Sequence, residues 1–134
     1  MNDNLYRVLL VEDDVHQASL LLRLLNRESG GKFDITHATS LAKAKLHVAA
    51  DALDVVILDL NLPDSSGLAT FTSLHDCKPE TPIIILSGTS DEDIAISSLQ
   101  KGAQDYLVKG QDDGHVIVRT LQYAIERKRA ELEV

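Results

Sequence analysis

Short apolar runs alternate along this chain with longer stretches of helical spacing. Residues 8–11 are uniformly apolar and rich in β-formers, and residues 15–28 then carry Leu20, Leu21, Leu24 and Leu25 at the spacing of one helix face. Asp14 is placed to cap that helix and Gly30-Gly31 to stop it. Residues 33–37 can form a second strand, and residues 40–50, rich in Ala, Leu and Lys, a second helix. Residues 55–58 and 83–86 are continuous apolar runs, as expected of strands covered on both faces. Between them Asn61-Leu62-Pro63-Asp64-Ser65-Ser66-Gly67 reads as a loop, and the helix after it turns Leu68, Phe71 and Leu74 inward. Pro79 and Pro82 bracket the next turn. Gly88 leads to a helix over residues 92–100 that Gly102 closes, and residues 106–109 make a fifth strand. A last helix is predicted to begin near Asp113 or His115 and to run towards the end of the chain.

Five β-then-α units in alternation predict an α/β fold. The expectation is a single doubly wound (βα)5 domain: a five-stranded parallel sheet, helices on both faces and right-handed crossovers. Pattern alone leaves the strand order open. The flavodoxin-like order 2-1-3-4-5 is the expected one of two common solutions, and it sets the ends of the first and third strands side by side.

Composition narrows the function. A length of 134 residues suits one domain with a real core, and 44% apolar with 25% charged residues is an ordinary soluble balance. No window approaches the roughly 20 apolar residues that span a membrane. Met1-Asn2-Asp3-Asn4 lacks the basic-then-apolar pattern of a secretory leader, and the lone Cys77 rules out an intrachain disulfide. A cytoplasmic location is the expectation. The formal charge of −8 argues against nucleic-acid binding, because nothing would replace the phosphate counterions. The late cluster Arg119, Arg127, Lys128 and Arg129 alternates with Glu126, Glu131 and Glu133, the pattern of a solvated helix face.

Four of the runs end in a residue able to handle a phosphoryl group. These are Glu12-Asp13-Asp14 after the first run, Asp59 after the third, Ser87 after the fourth and Lys109 after the fifth. In open α/β sheets the carboxyl ends of the strands are where ligands bind. Asp13, Asp14 and Asp59 form the acidic set expected for Mg2+, or Mn2+ in its place, with water and phosphate completing the shell. The plainer account of Asp13 and Asp14 is a helix N-cap with favourable first-turn charge. That account leaves Asp59 unexplained. Asp59 is the candidate nucleophile, since a carboxylate can form an acyl phosphate; otherwise it is a strand-end residue accepting loop N–H bonds. Ser87 can donate to one phosphoryl oxygen and Lys109 can offset charge on another, although a turn serine and a solvated lysine explain each singly. Cys77 and the histidines 16, 37, 47, 75 and 115 show no paired zinc spacing. No glycine-rich phosphate loop and no Gly-x-Ser-x-Gly elbow occurs. His115 is the histidine this pattern puts near the edge, and a helix start accounts for it.

Several segments together resemble the receiver domain of bacterial two-component response regulators over about residues 6–126. They are Val11-Glu12-Asp13-Asp14, Ile57-Leu58-Asp59-Leu60-Asn61-Leu62-Pro63-Asp64-x-x-Gly67, Ile84-Ile85-Leu86-Ser87-Gly88 and Gly102-Ala103-x-Asp105-Tyr106-Leu107-Val108-Lys109. The resemblance implies that Asp59 accepts a phosphoryl group from the phosphohistidine of a sensor histidine kinase or histidine phosphotransfer protein. It implies Mg2+ held by Asp13, Asp14, Asp59 and the main-chain carbonyl of Asn61. Ser87 is then the switch hydroxyl, Lys109 pairs with the phosphate, and Tyr106 is the aromatic residue whose rotamer follows Ser87. The face of the fourth helix, fifth strand and last helix would change with it and offer a contact to a homodimer partner or output domain. Such a domain catalyses its own phosphorylation and dephosphorylation without turning over a small molecule.

Two features depart from the family pattern. Gly110 stands where many members have proline after the lysine, often following a cis bond. The last helix also overruns the domain, so residues 1–126 read as the receiver and 127–134 as an extension towards an output domain or a dimer. Leu121, Ile125 and Leu132 would be its seam. The alternative function is a phosphorylation-independent interaction module of the same fold; a Mg2+-dependent phosphatase would need a cap for which the chain has little room.

Overall fold

A computed structural model describes residues 5–110 and 113–133. The segment of residues 1–4 read above for a leader lies outside them, as does Val134. Seven strands and five α-helices follow in the order β1 (Tyr6–Val11), α1 (Val15–Ser29), β2 (Phe33–Ala38), α2 (Leu41–Ala50), β3 (Val55–Asp59), β4 (Asn61–Leu62), β5 (Ser65–Ser66), α3 (Leu68–Cys77), β6 (Ile83–Ser87), α4 (Glu92–Gln100), β7 (Asp105–Val108) and α5 (Gly114–Leu132) among the described residues. A 3-10 turn, Thr89–Asp91, leads into α4. The main sheet runs β2-β1-β3-β6-β7, all parallel. Counted over its five strands this is the expected 2-1-3-4-5 order.

Alternation along the central strands builds two cores. Val8, Leu10, Val55, Ile57, Ile84 and Leu86 face one side, where Leu21 and Leu25 of α1 and Leu121 and Ile125 of α5 cover them. Leu9, Val11, Val56, Leu58, Ile83 and Ile85 face the other, under Ala44 and Val48 of α2, Phe71 and Leu74 of α3 and Ala95 of α4. Strands covered on both faces need apolar residues at every position, which is why these runs show no period of two. No helix among the described residues is long and apolar enough to cross a membrane.

Three local expectations change. Leu20 is 51% exposed, because the five leucines among residues 20–25 subtend more than one helix face and only Leu21 and Leu25 are buried. Leu121 and Ile125 lie in the core, so they form no free seam with Leu132, which is 61% exposed. The stretch from Asn61 to Gly67 is not a plain loop: β4 and β5 pair antiparallel as a two-residue hairpin.

That hairpin also starts the neighbouring helix. Asp64 accepts from the N–H groups of Leu41 (2.9 Å) and Ala42 (3.0 Å), while Ser40 accepts from Lys43 N–H at 3.2 Å. Free donors at a helix start favour an anionic acceptor, and the two N–H bonds hold the Asp64 carboxyl below its ordinary 3.8. A lowered acid stabilises the fold above its unfolded value, and that contribution fades as pH falls through the folded value. Asp64→Ala should therefore lower the urea midpoint at neutral pH, with the gap from wild type closing below about pH 4. A gap independent of pH would exclude this role.

Candidate functional site

The carboxyl ends of β1, β3, β6 and β7 bring Glu12, Asp59, Ser87 and Lys109 to one edge of the sheet. Glu12 and Asp59 are 1% and 3% exposed, and Asp13 beside them is open to solvent. One carboxylate oxygen from each of Glu12, Asp13 and Asp59 falls within a cluster no wider than 4.8 Å, the acidic group of this kind among the described residues. Lys109 Nζ lies 2.6 Å from Asp59 Oδ2 and 3.2 Å from Glu12 Oε1. Asp59 Oδ1 accepts from Asn61 N–H at 2.9 Å, so both oxygens of that carboxylate are held.

Three carboxylates facing one ammonium set the electrostatics. Burial, then a hydrogen bond to Asp59 and the charge of Asp59, push the Glu12 carboxyl up to about 8, against the pull of Lys109 and of Asp14 N–H. Burial works against the charge of Lys109, but its hydrogen bond to Asp59 and the charges of Asp59 and Glu12 outweigh that and raise it. Glu12 Oε1 is within ion-pair distance of Lys109 yet has no hydrogen bond among the described residues. Short of positive charge and built from hard oxygen donors, the cluster fits a divalent cation such as Mg2+. The main-chain carbonyl of Asn61 belongs to the short strand directly after Asp59.

The acidic run resolves differently from the sequence expectation. Glu12, not Asp14, joins Asp13 and Asp59. Asp14 is the N-cap of α1, its Oδ1 accepting from His16 N–H at 2.9 Å and Gln17 N–H at 3.2 Å. The Asp14 carboxylate is thus engaged with the first N–H groups of the helix, while Glu12, the residue after the strand, takes the place in the cluster. The signal that could have found Glu12 is its place as the first polar residue after an uninterrupted apolar run.

The remaining candidates sit around this cluster. Ser87 is buried, and its hydroxyl donates to the Leu107 carbonyl across a long 3.4 Å; Lys109 N–H donates to the Ser87 carbonyl at 2.8 Å. Tyr106 is half-buried against the α2–α3–α4 core. Asn61 Nδ2 donates to Asp91 Oδ2 at 3.1 Å, joining the turn after β3 to the turn after β6. Gly110 takes a φ of +77°, a conformation closed to proline, so the turn after Lys109 has its own geometry. His115 lies against Arg119 on the exposed side of α5. His37 is the histidine that reaches the acidic turn: its Nε2 lies 2.6 Å from the Glu12 carbonyl oxygen.

The chain is similar to known proteins in both sequence and fold. The sequence profile of the response regulator receiver domain matches residues 8–122. The cell cycle transcriptional regulator CtrA of Caulobacter vibrioides is 36% identical over 114 residues, covering 84% of this chain and 48% of that protein. The chain thus spans about half the length of the curated relatives it matches. A response regulator receiver domain protein from Clostridium thermocellum superposes with a TM-score of 0.82 at 25% identity, over 94% of this chain and 98% of the other. The signal receiver domain of an HD domain-containing protein from Pseudomonas fluorescens Pf-5 gives 0.84 at 25% identity, over 97% and 93%. The chain belongs to the response regulator receiver domain family, whose members are phosphoacceptor modules of two-component signalling.

Proposed function

We propose that Asp59 is the phosphoacceptor of this receiver, taking its phosphoryl group from a histidine kinase or histidine phosphotransfer protein. The observation that carries the reading is the Asp59 carboxylate, gripped by Lys109 at 2.6 Å and Asn61 N–H at 2.9 Å beside the carboxylates of Glu12 and Asp13. An Asp59 oxygen attacks the phosphohistidine phosphorus; the P–N bond breaks, and the departing imidazole keeps the electron pair and takes a proton. Water later attacks the same phosphorus, the bond to Asp59 oxygen breaks, and inorganic phosphate leaves. Glu12, Asp13 and Asp59, with the Asn61 carbonyl, would hold Mg2+, whose charge would offset the repulsion between the nucleophile and the incoming phosphoryl group.

The other residues turn chemistry into shape. Lys109 passes from Asp59 Oδ2 to a phosphoryl oxygen, neutralising charge as it forms. Ser87 exchanges its long bond to Leu107 for a phosphoryl oxygen, and Tyr106, on the strand beside it, follows inward. The face of α4, β7 and α5 changes with these moves as a shift between two packings, available to a second copy or an output domain.

A phosphohistidine donor and Mg2+ should give the protein a hydroxylamine-labile label that EDTA reduces to background. Label that persists in EDTA would overturn the metal-assisted step, and no label in Mg2+ the phosphoacceptor assignment.

A further inference from the structure

We infer that His37 is a positioning residue for the cation site, holding the Glu12–Asp13 peptide by donating its Nε2–H to the Glu12 carbonyl. The inference rests on reading Glu12, Asp13 and Asp59 as that site. Its origin is the way the sheet ends. β1 and β2 pair in register as far as Val11 and Ala38, and Glu12 N–H adds one more rung to the Ala38 carbonyl at 3.0 Å. A parallel ladder would next direct a main-chain N–H of the neighbouring strand at the Glu12 carbonyl. The chain has left the sheet by then, since β2 stops at Ala38 and Ser40 already caps α2. Among the described residues no main-chain N–H donates to that carbonyl. The His37 side chain supplies the donor instead, at 2.6 Å from a half-buried position.

The geometry has a direct effect on the acids. The Glu12 carbonyl and the Asp13 nitrogen share one planar peptide, so fixing the oxygen fixes the plane from which Asp13 departs. Two further contacts pin the same turn: Glu12 N–H to Ala38, and Asp14 N–H to Glu12 Oε2 at 3.4 Å. A ring nitrogen facing a carbonyl must carry hydrogen, so the contact also sets the tautomer of His37. Without this donor the peptide keeps those two contacts but loses the one on its carbonyl oxygen, and Asp13 would meet a cation in the required orientation less of the time. Groups that orient ligands from outside a metal's own shell commonly govern affinity by about ten- to a hundredfold.

The test is Mn2+ binding, read by electron paramagnetic resonance of the free ion, in wild type, His37→Ala, His37→Gln and Asp13→Asn. His37→Ala should bind about tenfold more weakly. His37→Gln, which places an amide N–H near the former Nε2, should recover most of that loss. Unchanged affinity in His37→Ala would overturn the inference, and so would an equal loss in both His37 variants, which would trace the effect to packing. Wild-type affinity in Asp13→Asn would instead overturn the cation site itself, whatever His37 does.

Discussion

Asp59→Asn is expected to abolish phosphorylation while leaving the fold in place. An amide cannot supply the carboxylate oxygen that forms the acyl phosphate, so the hydroxylamine-labile label should fall to background and not merely slow. The fold should survive because Asn is nearly the same size, and its carbonyl oxygen can still accept from Asn61 N–H, now 2.9 Å from Asp59. Replacing one of three neighbouring carboxylates also removes the Asp59 charge, which adds to burial in raising Glu12. Labelling by a phosphohistidine donor, alongside far-ultraviolet circular dichroism of the same preparation, checks both halves. A labelled, hydroxylamine-sensitive Asp59→Asn protein would move the acceptor to another residue.

Lys109→Ala should have the second largest effect, and on two observables. Lys109 is the cation within ion-pair distance of both Glu12 and Asp59 among the described residues, and both of those are buried. Removing it leaves carboxylates with their burial cost and no counter-charge, which should lower stability by about 1–3 kcal/mol in urea with EDTA present. Millimolar Mg2+ should restore more stability to the variant than it adds to wild type, because the ammonium no longer shares the acidic oxygens with the metal. The phosphorylated variant should then show a weakened change at Tyr106 by nuclear magnetic resonance, since nothing draws the β7 turn onto the phosphoryl group. Equal Mg2+ stabilisation of both proteins, or a full response at Tyr106, would count against the assigned role.

The order of elements was legible because each central strand carries an unbroken apolar run that ends at a polar residue. Val55 to Leu58 and Ile83 to Leu86 can be buried only under helices on both sides, and that requirement nearly dictates the architecture. Asp59, Ser87 and Lys109 were legible for a related reason: a polar residue that terminates a buried strand must emerge at the sheet's edge. The acidic run after β1 was harder. Three consecutive acids cross from strand geometry to helix geometry, and spacing does not say which of them the helix claims as its cap. The β4–β5 hairpin was hidden because two-residue strands carry no period. His37 was hidden because its partner is a main-chain carbonyl, exposed only by where β2 happens to end.

The end of α5 bears on where this receiver can be cut. The family profile stops at residue 122, but Ala124 and Ile125 beyond it are fully enclosed, and they form part of the wall over β1 and β3. Further along, Arg127 Nη2 donates to the Gln104 carbonyl at 3.2 Å. Arg129 pairs with Asp54 at 3.1 Å and lies 5.7 Å above the Tyr6 ring. Asp54 in turn accepts from Arg7 N–H at 2.8 Å, so the helix tail is stitched to the first residues of the sheet. A fragment or fusion joined at the profile's boundary would strip the cover from one core and unstitch the sheet's opposite edge. The contacts that tie the helix to the sheet reach Arg129, about two helical turns beyond the segment the family profile matches.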